Sequence, residues 1–119
     1  MQILFCANPI DRNKPDSLYE SEAAAAARLN FKTSLINFEA LVDERNPAKA
    51  IQRVQRPTCA TESAIYRGWM LTPEQYKQLY DELSNCGITL INDPKSYKHC
   101  HHLPEWLDLL QEKTPKTIW

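Results

Sequence analysis

The chain has only two glycines in 119 residues, Gly68 and Gly87. That scarcity excludes the common glycine-rich phosphate cradles. There is no G-x-G-x-x-G and no Walker A loop, so a nucleotide, if handled at all, is gripped by something else. Long apolar runs are also missing, and none reaches the length needed to span a membrane. The start, Met1-Gln2-Ile3-Leu4-Phe5-Cys6, has neither the basic region nor the long apolar stretch of a signal peptide. The four cysteines, Cys6, Cys59, Cys86 and Cys100, contain no C-x-x-C pair. Without secretory context they read as reduced thiols of a cytoplasmic protein. Charge of neither sign dominates: the net charge is −1 and no basic stripe stands out, which argues against a nucleic-acid partner.

What remains is an ordinary globular composition, 43% hydrophobic and 24% charged, at a length that suits one domain over residues 1–119. Ile3-Leu4-Phe5-Cys6-Ala7 is a continuous apolar run ending at Asn8-Pro9, which fits a strand buried on both faces. Ser17 and Glu20 have capping-box spacing and predict a helix through the alanines 23–27 to Leu29. Residues 33–38 predict a second strand, and Asn46-Pro47 opens a short helix with Ala50, Ile51 and Val54 on one face. Residues 64–66 predict the third strand. The clearest helix follows: Thr72 and Gln75 form a capping box, Pro73 takes the first position, and Tyr76, Leu79, Tyr80 and Leu83 make one inward stripe. Gly87 marks its end in the manner of a Schellman motif, and residues 88–91 predict the fourth strand.

A short helix over 97–101, another from Pro104 and the beginning of a strand at 116–119 complete the pattern. The apolar Ile118-Trp119 ending, without a closing turn, suggests an excised domain. Alternating strands and helices predict an α/β, Rossmann-like three-layer sandwich with a mostly parallel sheet of four to five strands. In such sheets ligands bind outside the carboxyl ends of the strands. That rule gathers Asn8 and Arg12, Arg67 and Trp69, and Asn92 and Asp93 on one edge, and makes Asn8, Arg12, Arg67, Trp69 and Asn92 the candidate substrate-binding residues.

The stretch from Ser63 to Pro73 is central to this reading. It runs as a strand through Arg67-Gly68 into a helix N-terminus, which puts a fixed positive charge and free N–H groups near one point, a setting for a carboxylate or phosphate. The plainer alternative is a tight turn whose arginine points into solvent. Trp69 is open between stacking on a substrate and plugging the core. Lys98-His99-Cys100-His101-His102 invites a metal reading, but neighbours on a short helix point in different directions and no second ligand pair exists, so structural or solvated histidines are favoured. Cys6 has apolar neighbours and reads as an inert core thiol. Glu20 is assigned to the cap. Glu22, Asp43, Glu44, Asp81 and Glu82 read as solvated charges, and no acid and base pair assembles.

The segments Tyr66-Arg67-Gly68-Trp69-Met70-Leu71, Ile91-Asn92-Asp93-Pro94, Tyr97 to Pro104 and Thr114-Pro115-Lys116-Thr117 together resemble the N-terminal region of ATP-grasp ligases of the RimK-like and peptide-ligase-like clade. The resemblance covers about residues 63–119, and the N-terminal half only in layout. It implies a pre-ATP-grasp domain forming the substrate side of a ligase cleft, with a C-terminal ATP-grasp domain of the same protein as partner. Such ligases use ATP and magnesium to activate a small-molecule or peptide carboxylate as an acylphosphate, which an amine or thiol then attacks. The family's nucleotide-gripping lysines and metal-binding acids have no counterpart here, so no catalytic residue, cofactor or metal is expected of this chain alone. The rival reading is a free-standing flavodoxin-like or receiver-like binding module. The receiver version is disfavoured, since Asn8 and Arg67 stand where it needs acidic residues.

Overall fold

Four short apolar strands are the frame of the computed structural model, which describes residues 1–58, 61–101, 110–113 and 115. They are β1 (Gln2–Cys6), β2 (Lys32–Ile36), β3 (Glu62–Arg67) and β4 (Ile88–Leu90). All pair in parallel, in the order β2-β1-β3-β4. Register sets Phe5 between Leu35 and Arg67, and Ala64 opposite Leu90. Among the described residues five α-helices join and cover them: α1 (Glu20–Arg28), α2 (Phe38–Val42), α3 (Pro47–Ala50), α4 (Pro73–Asn85) and α5 (Pro94–His101). On one side of the sheet Leu4, Ile36, Ala64 and Leu90 pack with Leu41 of α2, Tyr76, Leu79 and Leu83 of α4, and Tyr97 of α5. A smaller cluster on the α1 side joins Phe5 to Tyr19 and Ala26. This is the expected α/β, Rossmann-like three-layer fold. Among the described residues no helix is long and apolar enough to cross a membrane.

Element ends differ from the sequence pattern where a neighbouring side chain takes the cap. Asp16, not Ser17, opens the first helical segment: its carboxylate accepts from the Leu18 N–H at 3.0 Å. Residues 17–19 are a 3-10 turn, and α1 begins only at Glu20. β2 stops at Ile36 because Asn37 Oδ1 accepts from the Ala40 N–H at 3.1 Å and starts α2, so Phe38 belongs to a helix rather than the strand. α5 begins three residues early, at Pro94, after Asp93 accepts from the Ser96 N–H at 2.7 Å. The capping box of Thr72 and Gln75 is formed. Gly87 is left-handed at φ 79, as expected, but the closing bonds are of 3-10 type: Cys86 N–H to Leu83 O and Gly87 N–H to Ser84 O, each 2.9 Å. The helix from Pro104 and the strand at 116–119 lie outside the described residues.

The amino end of the sheet holds a polar network that apolar patterning does not announce. Gln2 is fully buried, its amide donating to the Gln55 carbonyl at 3.2 Å and accepting from the Ser34 hydroxyl at 3.0 Å. Beside it Glu62 takes the Lys32 ammonium at 2.7 Å and the chain's amino group at 3.4 Å. These cations, Lys32 foremost, hold the Glu62 carboxyl below the usual carboxylate range. A depressed folded pKa means that folding favours the ionised form, so its stabilisation is present above the ordinary value and is lost as pH falls through the folded one. Chemical denaturation across pH 3 to 6, roughly the ordinary carboxylate range, is expected to show a shallower acid loss for Glu62→Gln than for the unaltered chain. Parallel curves would remove Glu62 from the acid response.

Candidate functional site

The carboxyl ends of β3 and β4 open into a cavity of about 300 Å³. Its walls come from the end of β3 (Tyr66, Arg67), the following loop (Gly68, Trp69, Met70), α4 (Tyr76), the turn after β4 (Asn92) and α5 (Tyr97, His101). That size is at the low end for a small-molecule site, ~300–1,000 Å³. The walls are mainly aromatic. Tyr76 and Tyr97 stack at 3.8 Å with 5° between planes, and Tyr97 continues onto His101 at 4.1 Å. Tyr66 meets Tyr76 edge to face at 6.2 Å.

The tyrosine hydroxyls hold the loops that shape the cavity. Tyr66 donates to the Trp69 carbonyl at 2.6 Å, and Tyr76 donates to the Asn92 carbonyl at 2.8 Å. Tyr97 accepts from the Leu71 N–H at 2.9 Å and donates to the Leu71 carbonyl at 3.0 Å. Burial, the main influence on each, pushes all three phenols above their ordinary pKa. They stay protonated at neutral pH and act as fixed donors and ring surface rather than as bases. No Asp or Glu is among the described lining residues.

The candidate residues from the sequence divide between places. Arg67, Trp69 and Asn92 meet on this cavity. Trp69 is 39% exposed, with its ring edge to face against Tyr19 at 5.9 Å, so it is a wall rather than a core plug. Arg67 does not point into solvent alone. Its Nε and Nη2 each donate to Glu22 of α1 at 2.7 Å, and its guanidinium lies 5.1 Å from the Tyr19 ring centre. Glu22 is thus the partner of the central arginine, not simply a solvated charge. Asn8 turns back on its own loop, accepting from the N–H groups of Ile10 and Asp11. Arg12 pairs with Glu39 of α2 and lines a separate, smaller cavity. Asp93 caps α5.

Sequence reasoning missed Tyr66, Met70, Tyr97 and His101 as site residues, and took Tyr76 as core alone. A signal was present in the i, i+4 spacing of Tyr97 and His101, which puts two rings on one helix face. Of the histidine cluster, His101 Nδ1 lies 2.9 Å from the Tyr97 carbonyl, and His102 is outside the described residues. Among the described residues no group of three or more His, Cys, Asp or Glu is arranged to hold a metal ion. Cys6, buried behind Gly68, has its thiol pKa raised by that burial and contacts the Tyr66 hydroxyl at 3.6 Å. No protein-family model matches the chain, and comparison with curated proteins and with solved structures finds no match.

Proposed function

We propose that this chain is the substrate-side domain of an ATP-dependent carboxylate–amine ligase, with the cavity at the ends of β3 and β4 receiving the carboxylate substrate. One observation supports the reading above others. The segments that carry the resemblance to ATP-grasp ligases, 66–71 on one side of α4 and 91–94 with 97–101 on the other, each contribute walls to this one cavity. ATP and magnesium belong, on this reading, to a C-terminal ATP-grasp domain of the same protein. The bidentate pairing of Glu22 with the Arg67 guanidinium supports this reading, because a substrate carboxylate would take the same fork. The pair is about half exposed on both sides, where ion pairs contribute only ~0–1 kcal/mol, so a substrate carboxylate can take its place.

The test is an NMR titration with glutamate and with short acidic peptides, following the Trp69 indole and the Asn92 and Tyr97 amides. Arg67→Ala is expected to weaken binding about tenfold to hundredfold, the worth of a charged hydrogen bond, while shifting stability by no more than ~1 kcal/mol. Glu22→Gln, which frees the fork, is expected to strengthen binding. Arg67→Ala with undiminished binding would end the carboxylate reading.

The strand order favours a second reading. Order 2-1-3-4 is that of flavodoxin-like sheets, with the switch point between β1 and β3, and fits a self-contained binding module. The two readings part on nucleotide turnover. ADP formation that requires both a carboxylate and an amine, in the complete gene product, belongs to the ligase; ligand binding without it belongs to the module.

A further inference from the structure

A second cavity, about 150 Å³, lies beyond the ends of β1 and β2, where Arg12, Asn37, Lys49, Gln52 and Arg53 converge. Its chemistry is one-sided. Three cationic side chains reach it from separate segments: the loop after β1, the end of α3 and the turn that follows. No Asp or Glu lines it among the described residues. Arg12 and Lys49 are partly offset by Glu39 and Glu44, which stand outside the lining. Arg53 has no carboxylate partner among the described residues, and its guanidinium is held in place by neutral groups. Its Nη1 donates to the Arg12 carbonyl at 2.5 Å and to Asn13 Oδ1 at 2.8 Å. Asn37 spends its acceptor oxygen on the α2 cap, and its amide nitrogen has no hydrogen-bond partner among the described residues.

We propose that this cavity binds a phosphate group. Planar carboxylates suit a single guanidinium fork, whereas donors arriving from three segments suit a compact tetrahedral dianion. The site is separate from the aromatic cavity and stands whether or not that cavity takes a carboxylate.

Inorganic phosphate is the first probe, titrated against the isotopically labelled chain at constant ionic strength set with chloride. Saturable shifts are expected at the amides of Ala7, Asn37 and residues 49–53, with weaker or no response to chloride alone. Phenyl phosphate, titrated in parallel, assigns the source: tighter binding than inorganic phosphate points to a phosphomonoester ligand, equal or weaker binding to the free ion. Gln52→Glu adds a carboxylate to the lining while keeping every cation, and is expected to weaken phosphate binding at least about tenfold by like-charge repulsion. Arg53→Gln is expected to do the same. Since Arg53 also steadies the Arg12–Asn13 loop, Gln52→Glu decides if Arg53→Gln lowers the melting temperature. Arg28→Gln, on the last turn of α1, is expected to leave binding unchanged. Shifts that grow linearly without saturating, or saturable binding indifferent to Gln52→Glu, would overturn the site.

Discussion

Gly68→Ala is expected to destabilise the fold by about 1–3 kcal/mol, the usual range for forcing atoms into a packed interior. The reason is proximity, not backbone freedom. A Cβ at position 68 would lie 2.4 Å from Cys6 Sγ and 2.8 Å from both Cζ and the hydroxyl oxygen of Tyr66. Cys6 has no room to retreat, and Tyr66 can move only by giving up a hydrogen bond. Cys6 is 1% exposed in the strand at the centre of the sheet, and the Tyr66 ring is fixed by its bond to the Trp69 carbonyl. The loop that forms one wall of the aromatic cavity therefore rests directly on β1, and any side chain at 68 lifts it. A double-mutant cycle tests this reading. Cys6→Ala removes the closest atom, so the pair Cys6→Ala and Gly68→Ala is expected to recover part of the loss, with a coupling of ~0.5–3 kcal/mol. Urea denaturation of the four proteins reads it. Strict additivity would show that the two residues do not press on one another.

The contrast between α4 and the cavity it borders explains what was legible in the sequence. Everything that makes α4 a helix lies within its own stretch: Thr72 and Gln75 cap each other, Pro73 starts it, and its inward stripe repeats at helical spacing. Such local agreement reads directly from residue order. The alternation of strands and helices, with a buried apolar run for β1, similarly makes a parallel sheet the economical arrangement. α2 was not legible because Leu35, Ile36 and Phe38 make an apolar run that extends β2 as readily as it starts a helix. The Asn37 cap and burial of Ala40 and Leu41 against the sheet decide between the two.

The carboxyl-edge rule groups Arg12 and Arg67 on one rim, whereas the structure divides them between two cavities. Each arginine pairs with a carboxylate on a different helix. Glu22 of α1 is 45 residues from Arg67 in sequence, and Glu39 of α2 is 27 residues from Arg12. Long-range pairing of this kind leaves no periodic trace. The same holds for the tyrosine hydroxyls. Their rings follow apolar patterning and read as core, but their bonds to loop carbonyls exist only once β3, α4 and α5 are assembled.

Those hydroxyl ties make Tyr97 the other position with a large expected effect, and two substitutions separate its parts. Tyr97→Phe keeps the ring and deletes the hydroxyl, leaving the N–H and carbonyl of the buried Leu71 without this partner. The expected loss is about 1–3 kcal/mol, the cost of stranding buried polar groups. Tyr97→Ala also removes the ring held between Tyr76 and His101, and the loss is expected to rise to about 3–5 kcal/mol. The two should differ in where they act as well as in size. With the ring present, α5 remains stacked on α4, and Tyr97→Phe should loosen mainly the loop at Leu71. With the ring gone, α5 loses its one fully inward side chain, and the amides of 97–101 should exchange hydrogen well before the sheet unfolds. Because Tyr97, Asn92 and Arg67 share one cavity, Tyr97→Ala should also abolish ligand shifts there, whereas Tyr97→Phe should retain them in weakened form. Native-state hydrogen exchange with urea melts measures both effects. A Tyr97→Phe protein within ~0.5 kcal/mol of the unaltered chain would mean that its hydroxyl does not tie α5 to the β3–α4 loop.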